Sequence, residues 1–272
     1  MLTRTAFIGG GNMASAIVGG LLETGYRGDA ILIVEPDPAQ RERLRKRFGI
    51  AAMPSADASL TAAEVVVWAV KPQAFRGAAT VCRPHIQAAL QLSVMAGIRS
   101  SAIVAATGSE RVVRAMPNMP ALIGQGIAGL FAGPGLGAAD RAQVEALLAP
   151  TGECVWVGVE ADLDAVTALS GSGPAYVFYV LEAMLAAGAA MGLDQTQVRR
   201  LALRTLAGAT ALAAQSVETP ERLRRNVSSP GGTTEAATSV LEAHGVKEAL
   251  VAAIVAARDR ACSLADEFDV AG

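Results

Sequence analysis

Thr5-Ala6-Phe7-Ile8-Gly9-Gly10-Gly11-Asn12-Met13-Ala14 is the stretch that decides the fold. Four residues of strand character run directly into three glycines, and an apolar helical pattern follows to about Thr24. This is the order of a dinucleotide-binding fingerprint, with Ala14 in the third glycine position. Gly9 makes the tight turn out of the strand. Gly11 lets the backbone approach a pyrophosphate, which the unpaired N–H groups and dipole of the helix N-terminus attract. Ala14 is small enough for helix and strand to pack closely. Glycines of this spacing alone are weak evidence of a nucleotide site. Here strand, turn and helix occur in the required sequence, which favours nucleotide binding over a purely structural βα turn.

Outward from this turn the chain alternates. A second strand, residues 31–34, ends in Glu35-Pro36-Asp37-Pro38, where Asp37 and Pro38 read as the cap and first residue of a helix through Arg47. Glu35 therefore stands at the strand end, where an acidic residue accepts hydrogen bonds from the ribose hydroxyls. A carboxylate about 4 Å from a 2′-phosphate costs roughly 4 kcal/mol per unit charge at an effective dielectric near 20, which points toward NADH. Arg41, Arg43 and Arg45 offset this if they reach around. The other reading of Glu35 is a solvated strand-end carboxylate beside a basic helix. Residues 64–70 read as a buried parallel strand running into Lys71-Pro72, with its C-terminal end over the cofactor. Lys71 either faces the phosphates or ribose, or extends to water. Further strands are expected at 90–94, 111–116, 127–131 and 153–157, with a helix at 138–148. An α/β dinucleotide-binding domain of Rossmann type is thus expected over residues 1–160.

Residues 161–272 carry no convincing strand. Leu169-Ser170-Gly171-Ser172-Gly173-Pro174-Ala175-Tyr176 breaks a helix that starts at Asp162 and begins a long one to Met191. Residues 175–193 are the most membrane-like run, but they include Glu182 and several small residues and read as a buried helix. Asp194 caps the next helix, Pro220 starts a short one, and two more complete an all-α domain. Helices this apolar exceed what roughly a hundred residues can bury, so an extensive subunit interface is expected. The helices are interrupted by Asn226-Val227-Ser228-Ser229-Pro230-Gly231-Gly232-Thr233-Thr234. Pro230 fixes one φ angle, and Gly231 and Gly232 permit conformations other residues avoid. Thr233 or Thr234 can cap the following helix, whose N-terminus attracts an anion. On this segment alone, a capped interhelical turn is the simpler reading.

Composition excludes several classes of function. Hydrophobic residues make up 52% and charged ones 18% of the 272, and net charge is −2, so nothing here draws nucleic acid or an anionic membrane. The odd, scattered cysteines (Cys82, Cys154, Cys262) form no metal pattern and suit a reducing, cytoplasmic compartment. With the first strand beginning within a few residues of Met1, no signal peptide is expected. His85 and His244 lack ligand partners at useful spacing, and no Ser-His-Asp order or nucleophile elbow is found. Lys46, Lys71 and Lys247 are the only lysines, so the helices between Asp162 and Val240 offer none as acid or base. This counts against the β-hydroxyacid dehydrogenases, which share the layout and use a lysine there. The remaining chemistry is hydride transfer to a substrate that is already electrophilic. A protonated cyclic imine fits, with positioning as the protein's main contribution and an anionic substrate handle on the Gly-Gly loop.

With these pieces assembled, the chain resembles the pyrroline-5-carboxylate reductases over essentially its whole length. The resemblance rests on Phe7-Ile8-Gly9-Gly10-Gly11-Asn12-Met13, Ala69-Val70-Lys71-Pro72, Arg114-Ala115-Met116-Pro117-Asn118, Ser170 to Tyr176, and Ser228 to Thr234. It implies a Rossmann domain followed by an all-α dimerisation domain, with a homodimer formed through the C-terminal helices and dimers assembled into larger rings such as a decamer of dimers. It implies reduction of 1-pyrroline-5-carboxylate to L-proline by NADPH or NADH, the last step of proline biosynthesis. Neither metal, membrane nor nucleic acid is expected. By position, Ser229 and the backbone of Gly231, Gly232, Thr233 and Thr234 would hold the substrate carboxylate. The Thr234 hydroxyl would bond the ring nitrogen. Ile8, Gly9, Gly10, Gly11, Asn12, Met13, Glu35, Ala69, Val70, Lys71, Pro72, Val94, Met95, Ala96 and Asn226 would bind cofactor.

Three positions depart from the family pattern. Met119 stands where a threonine is usual, Ala56 replaces an asparagine that touches cofactor in some relatives, and Glu35 replaces a small polar residue that tolerates a 2′-phosphate. They bear on cofactor preference rather than on the reaction. Two other functions fit the same chain: reduction of another cyclic imine or keto acid on this scaffold, or a non-catalytic nucleotide-binding module. A competitive substrate panel separates the first, and cofactor binding without turnover the second.

Overall fold

A computed structural model describes residues 3–270. Its first half is a seven-stranded sheet in the order β2-β1-β3-β4-β5-β6-β7. The strands are β1 (Thr5–Ile8), β2 (Ile31–Val34), β3 (Val65–Trp68), β4 (Leu90–Ser93), β5 (Val112–Met116), β6 (Gly126–Ala132) and β7 (Gly152–Trp156). β1 to β5 run parallel, β6 is antiparallel to β5, and β7 is parallel to β6. β1 and β3 are buried throughout, because helices cover both faces of a parallel sheet. Their side chains alternate between two cores: Phe7, Val65 and Val67 in one, Ala6, Ile8, Val66 and Trp68 in the other. Strand order reverses about β1, so the carboxyl ends of β1 and β3 flank the switch point where such sheets bind ligands. Around the sheet lie α1 (Asn12–Glu23), α2 (Pro38–Phe48), α3 (Phe75–Ile86), α4 (Ser100–Thr107) and α5 (Ala138–Leu148).

The chain divides into two compact units, residues 1–172 with 257–272, and residues 173–256. The expected division at 160/161 thus differs from the contact boundary, for a local reason. α6 (Asp162–Val166) lies against β6, where a Cβ on Gly129 would come within 2.6 Å of Val166. The expected helix break also takes another form. Residues Thr167–Gly171 form a π turn, closed by a 2.8 Å bond from Ser172 N–H to Thr167 C=O, and α7 (Gly173–Ala190) follows. The helix is widened rather than ended, a device frequent at functional sites. Gly171 packs closely there: a Cβ would lie 2.6 Å from the Met116 methyl, which would have to move aside.

The second unit consists of α7, α8 (Gln195–Gln215), α9 (Pro220–Asn226), α10 (Thr233–Ala243) and the first part of α11 (Val246–Val270). Asp194 caps α8 by accepting from Thr196 and Gln197 N–H. α7 and α8 pack closely at Gly188, where a Cβ would sit 2.4 Å from a Val198 methyl. The expectation that residues 175–193 form a buried helix does not hold within one chain. Asp162–Ala190 has the length and hydropathy of a membrane span, yet only 6% of its most apolar stretch is buried. Phe178 and Tyr179 are 52% and 72% exposed, as are apolar side chains on α8 such as Leu201 and Leu212. The apolar surface expected to exceed what this unit can bury is present.

Candidate active site: the glycine turn and the Gly-Gly loop

The glycine turn has the features a pyrophosphate cradle needs. Gly9 has φ +96°, and a Cβ there would lie 2.6 Å from the Ala69 carbonyl oxygen, so both conformation and space demand glycine. Its N–H donates to Val34 C=O at 2.8 Å, and Ala69 N–H to Ile8 C=O at 2.9 Å, tying the turn to the ends of β2 and β3. Gly11 faces open space. The first bond of α1 runs from Ser15 N–H to Gly11 C=O, leaving the N–H groups of Asn12, Met13 and Ala14 without helical acceptors. Ala14 is fully buried against the sheet. An anion thus has three backbone donors, a helix dipole and room to approach. These residues fit a dinucleotide.

Glu35 is held in a specific way. Its Oε2 accepts from Gly10 N–H at 2.8 Å and its Oε1 from Asp37 N–H at 2.9 Å. The carboxylate therefore bridges the glycine turn and the start of α2, rather than hanging in solvent. Gly10 is fixed from its other side by Gln40, whose amide donates to its carbonyl, and by Leu44, which a Cβ would contact at 2.5 Å. The arginines that could temper this charge are already partnered. Arg41 donates to the carbonyls of Glu35 and Pro36, Arg43 to Gln40 with Asp37 3.7 Å away, and Arg45 to Glu42. Arg41 and Arg43 lie by the end of β2; Arg45 is turned to its own helix.

The other expected cofactor residues follow the strand ends. Ala69, Val70 and Pro72 are half-buried and Lys71 is exposed beyond β3. Val94 is half-buried and Ala96 exposed beyond β4, whereas the Met95 side chain is 3% exposed and belongs to the core. Only the Met95 backbone is available to a ligand. Ile8 is likewise a core residue. Met119 is exposed at the start of the short helix Met119–Ile123.

In the second unit, the Gly-Gly loop presents its helix N-terminus openly. The N-cap of α10 is Gly232, with no side-chain cap. Thr233 and Thr234 are the first two helical residues, so the expectation that one of them caps α10 is corrected: both lie past the position from which a hydroxyl can cap. Gly231, at φ +70°, makes the turn, and a Cβ on Gly232 would meet the Ser229 hydroxyl at 2.5 Å. Two loop amides are engaged: Gly232 N–H donates to Ser229 C=O, and Gly231 N–H to the Glu235 carboxylate at 2.6 Å. The first bond of α10 runs from Ala236 N–H to Gly232 C=O, so Thr233, Thr234 and Glu235 keep free N–H groups. The half-buried Thr234 hydroxyl lies beside them. Ser229 is exposed, and Asn226, closing α9, donates to Glu218 at 2.9 Å.

One cluster escaped the sequence reading. Glu160 accepts from the Ser100 N–H and hydroxyl, both at 2.6 Å, and from Arg114 Nη1 at 2.8 Å. Burial alone would raise its pKa, but the Ser100 bonds and the Arg114 guanidinium outweigh this and hold it below the usual glutamate range. Residues 46 and 60 positions apart leave no spacing signal. The cysteines are free, and burial pushes the Cys82 thiol up to about 11. Among the described residues no group of His, Cys, Asp and Glu is arranged to hold a metal.

Comparison with known proteins gives a consistent result. The family model "Pyrroline-5-carboxylate reductase dimerisation" matches residues 160–264, and "NADP oxidoreductase coenzyme F420-dependent" matches residues 4–97. The chain is 41% identical over 267 residues to a pyrroline-5-carboxylate reductase of Pseudomonas aeruginosa, covering 97% of this chain and 98% of that one. A Haemophilus influenzae relative of the same description is 39% identical over 261 residues, covering 94% and 95%. Among solved structures, a pyrroline-5-carboxylate reductase from Coxiella burnetii superposes with TM-score 0.89 at 32% identity over 97% of this chain and 99% of that one. A Plasmodium falciparum pyrroline carboxylate reductase with NADP bound superposes with TM-score 0.87 at 26% identity, covering 97% and 98%.

Proposed function

The chain belongs to the pyrroline-5-carboxylate reductase family, and from that membership we infer that it reduces 1-pyrroline-5-carboxylate to L-proline with NADPH or NADH, the last step of proline biosynthesis. When bound, the nicotinamide supplies the hydride. The protein's own part is to bind, orient and exclude water. Gly9 to Gly11 make room for the pyrophosphate, the N–H groups of Asn12, Met13 and Ala14 hold it, and Glu35 accepts from the ribose hydroxyls. Ala69 to Pro72 and residues 94–96 line the rest of the cofactor cleft.

The observation that carries the substrate reading is the open N-terminus of α10. With Gly231 and Gly232 N–H engaged inside the loop, the N–H groups of Thr233 and Thr234 are the donors for the substrate carboxylate. This narrows the expected set, in which Ser229, Gly231 and Gly232 shape the loop and the two threonines touch the ligand. A carboxylate gains about 0.3–1 kcal/mol from the helix dipole, besides its hydrogen bonds. The Thr234 hydroxyl, which does not cap the helix, accepts from the iminium N–H. The hydroxyl can keep that bond when the nitrogen is the secondary amine of proline, so Thr234 holds the reacting group without transferring a proton. No lysine is needed because the electrophile arrives protonated.

The test is activity of Thr234→Ala and Thr234→Ser with proline quantified as product. Loss in Thr234→Ala with recovery in Thr234→Ser, at unchanged cofactor affinity, supports the role; full activity in Thr234→Ala removes it. A homodimer buries the exposed faces of α7 and α8, and dimers assemble further into a ring; size-exclusion chromatography with light scattering measures both. The free cysteines suit work in the cytoplasm, without metal or membrane.

A further inference from the structure

We propose that Arg114 and Glu160 form a positioning bracket that sets the cofactor-cleft wall, residues 94–99. The proposal rests on the reading above that Val94 to Ala96 line that cleft. The wall is the six-residue connection between the end of β4 at Ser93 and the start of α4 at Ser100. One residue holds both of its ends. On the sheet, Arg114 of β5 is the register partner of Ser93, the last residue before the wall. Through its side chain, Arg114 holds Glu160, and Glu160 holds Ser100, the first residue after the wall, by both amide and hydroxyl. Between these anchors the connection has its own fixed points: Val94 N–H donates to Trp68 C=O, and Arg99 pairs with Asp266 of α11. Gly97, at φ +75°, packs so closely that a Cβ would lie 3.0 Å from the Phe268 ring.

The bracket concentrates much on one carboxylate. Arg114 is 8% exposed, Glu160 is its one ion-pair partner among the described residues, and its Nε has no hydrogen-bond partner. Removing the carboxylate therefore leaves a buried cation without a counter-charge and frees the α4 N-terminus together. An ion pair that merely stabilised the fold would need no connection to Ser100. Both oxygens of Glu160 instead converge on that residue, at distances typical of strong charge-assisted bonds. The wall carries Ala96 as its exposed side chain, so a shift in the Ser100 anchor moves a surface that the cofactor meets.

The experiment compares Glu160→Gln, Ser100→Ala, Ser100→Thr and Arg114→Lys in the full-length enzyme. It measures cofactor Kd by fluorescence, KM for each substrate, kcat and Tm. Glu160→Gln is expected to raise cofactor Kd and KM by about tenfold, while kcat at saturating cofactor and KM for the imine stay within about twofold. Ser100→Ala should shift cofactor affinity in the same direction, and Ser100→Thr, which keeps the hydroxyl, should restore it. An unchanged cofactor Kd in folded Glu160→Gln, or an effect on Tm or kcat alone, overturns the bracket. If Glu160→Gln fails to fold, the Ser100 pair decides by the same criteria. Ala96→Leu separates the role of the wall from that of the bracket. No effect of Ala96→Leu on cofactor binding overturns the wall assignment and the proposal with it. Weakened binding in Ala96→Leu beside normal binding in Glu160→Gln and Ser100→Ala overturns the bracket alone.

Discussion

Replacing Glu35 with serine should shift the enzyme toward NADPH, and the structure sets the scale of the change. The carboxylate is pinned by Gly10 and Asp37 N–H at 2.8 and 2.9 Å, so it cannot swing away from the end of β2 without losing two bonds. A 2′-phosphate about 4 Å away would feel roughly 4 kcal/mol per unit charge at an effective dielectric near 20. Glu35 is only half-buried, and Arg41 and Arg43 stand at the same strand end, so solvent and guanidinium charge offset a good part of this. About 2 kcal/mol then remains, or roughly 30-fold in the ratio of kcat/KM for NADPH to that for NADH. The assay is initial-rate kinetics with each cofactor at fixed, saturating imine. The gain should fall mainly in KM for NADPH, and it should shrink at high salt. Glu35→Gln, similar in shape but uncharged, should move the ratio in the same direction. A ratio unchanged within about threefold in both variants would falsify the charge argument. Equal losses with both cofactors would make Glu35 a brace for the glycine turn and nothing more.

Four further outcomes follow from particular contacts. Thr234→Ala should reduce kcat/KM for the imine by about 10- to 100-fold, as expected for one lost hydrogen bond to a charged group, with cofactor Kd unchanged. Glu235→Gln should lower KM for the imine by a few-fold at constant kcat, since its carboxylate is a like charge bonded to Gly231 N–H beside the anion site; steady-state kinetics at low salt checks this. Gly188→Val should destabilise by about 1–3 kcal/mol and lower Tm, because even a Cβ there lies 2.4 Å from Val198. Glu160 also predicts an acid limit. Its folded-state pKa is below the usual value, so the unfolded chain binds the proton more readily and stability is lost as pH falls from the ordinary glutamate value toward the lower folded one. Denaturant melts across that window should show a smaller pH slope in Glu160→Gln than in the wild type.

The parts of the chain legible in sequence are those governed by local pattern. Val65-Val66-Val67-Trp68 reads as a buried parallel strand because both of its faces are apolar, and Gly9 to Ala14 reads as a tight turn into a helix because its geometry is local. Asp37 and Asp194 were legible as caps for the same reason. What was not legible depends on partners distant in the chain. The π turn at Thr167 to Gly171 keeps the chain helical where sequence alone reads a break, and its Gly171 packs against Met116, 55 positions away in the chain. Thr233 and Thr234 looked like caps, but Gly232 closes against Ser229 and takes the cap position, which moves both hydroxyls one and two residues into the helix. Glu35 was legible as a carboxylate at the end of β2 but not as a bridge to Gly10 N–H. Glu160 looked only like the end of a domain, since nothing in its neighbourhood points to Ser100 or Arg114.

Product analysis tests the reduction of 1-pyrroline-5-carboxylate to L-proline most directly. Purified protein given 1-pyrroline-5-carboxylate and either NADPH or NADH should oxidise the cofactor only when the imine is present, with L-proline formed mole for mole. Cofactor binding without imine-dependent oxidation, or oxidation that yields no proline, would contradict it.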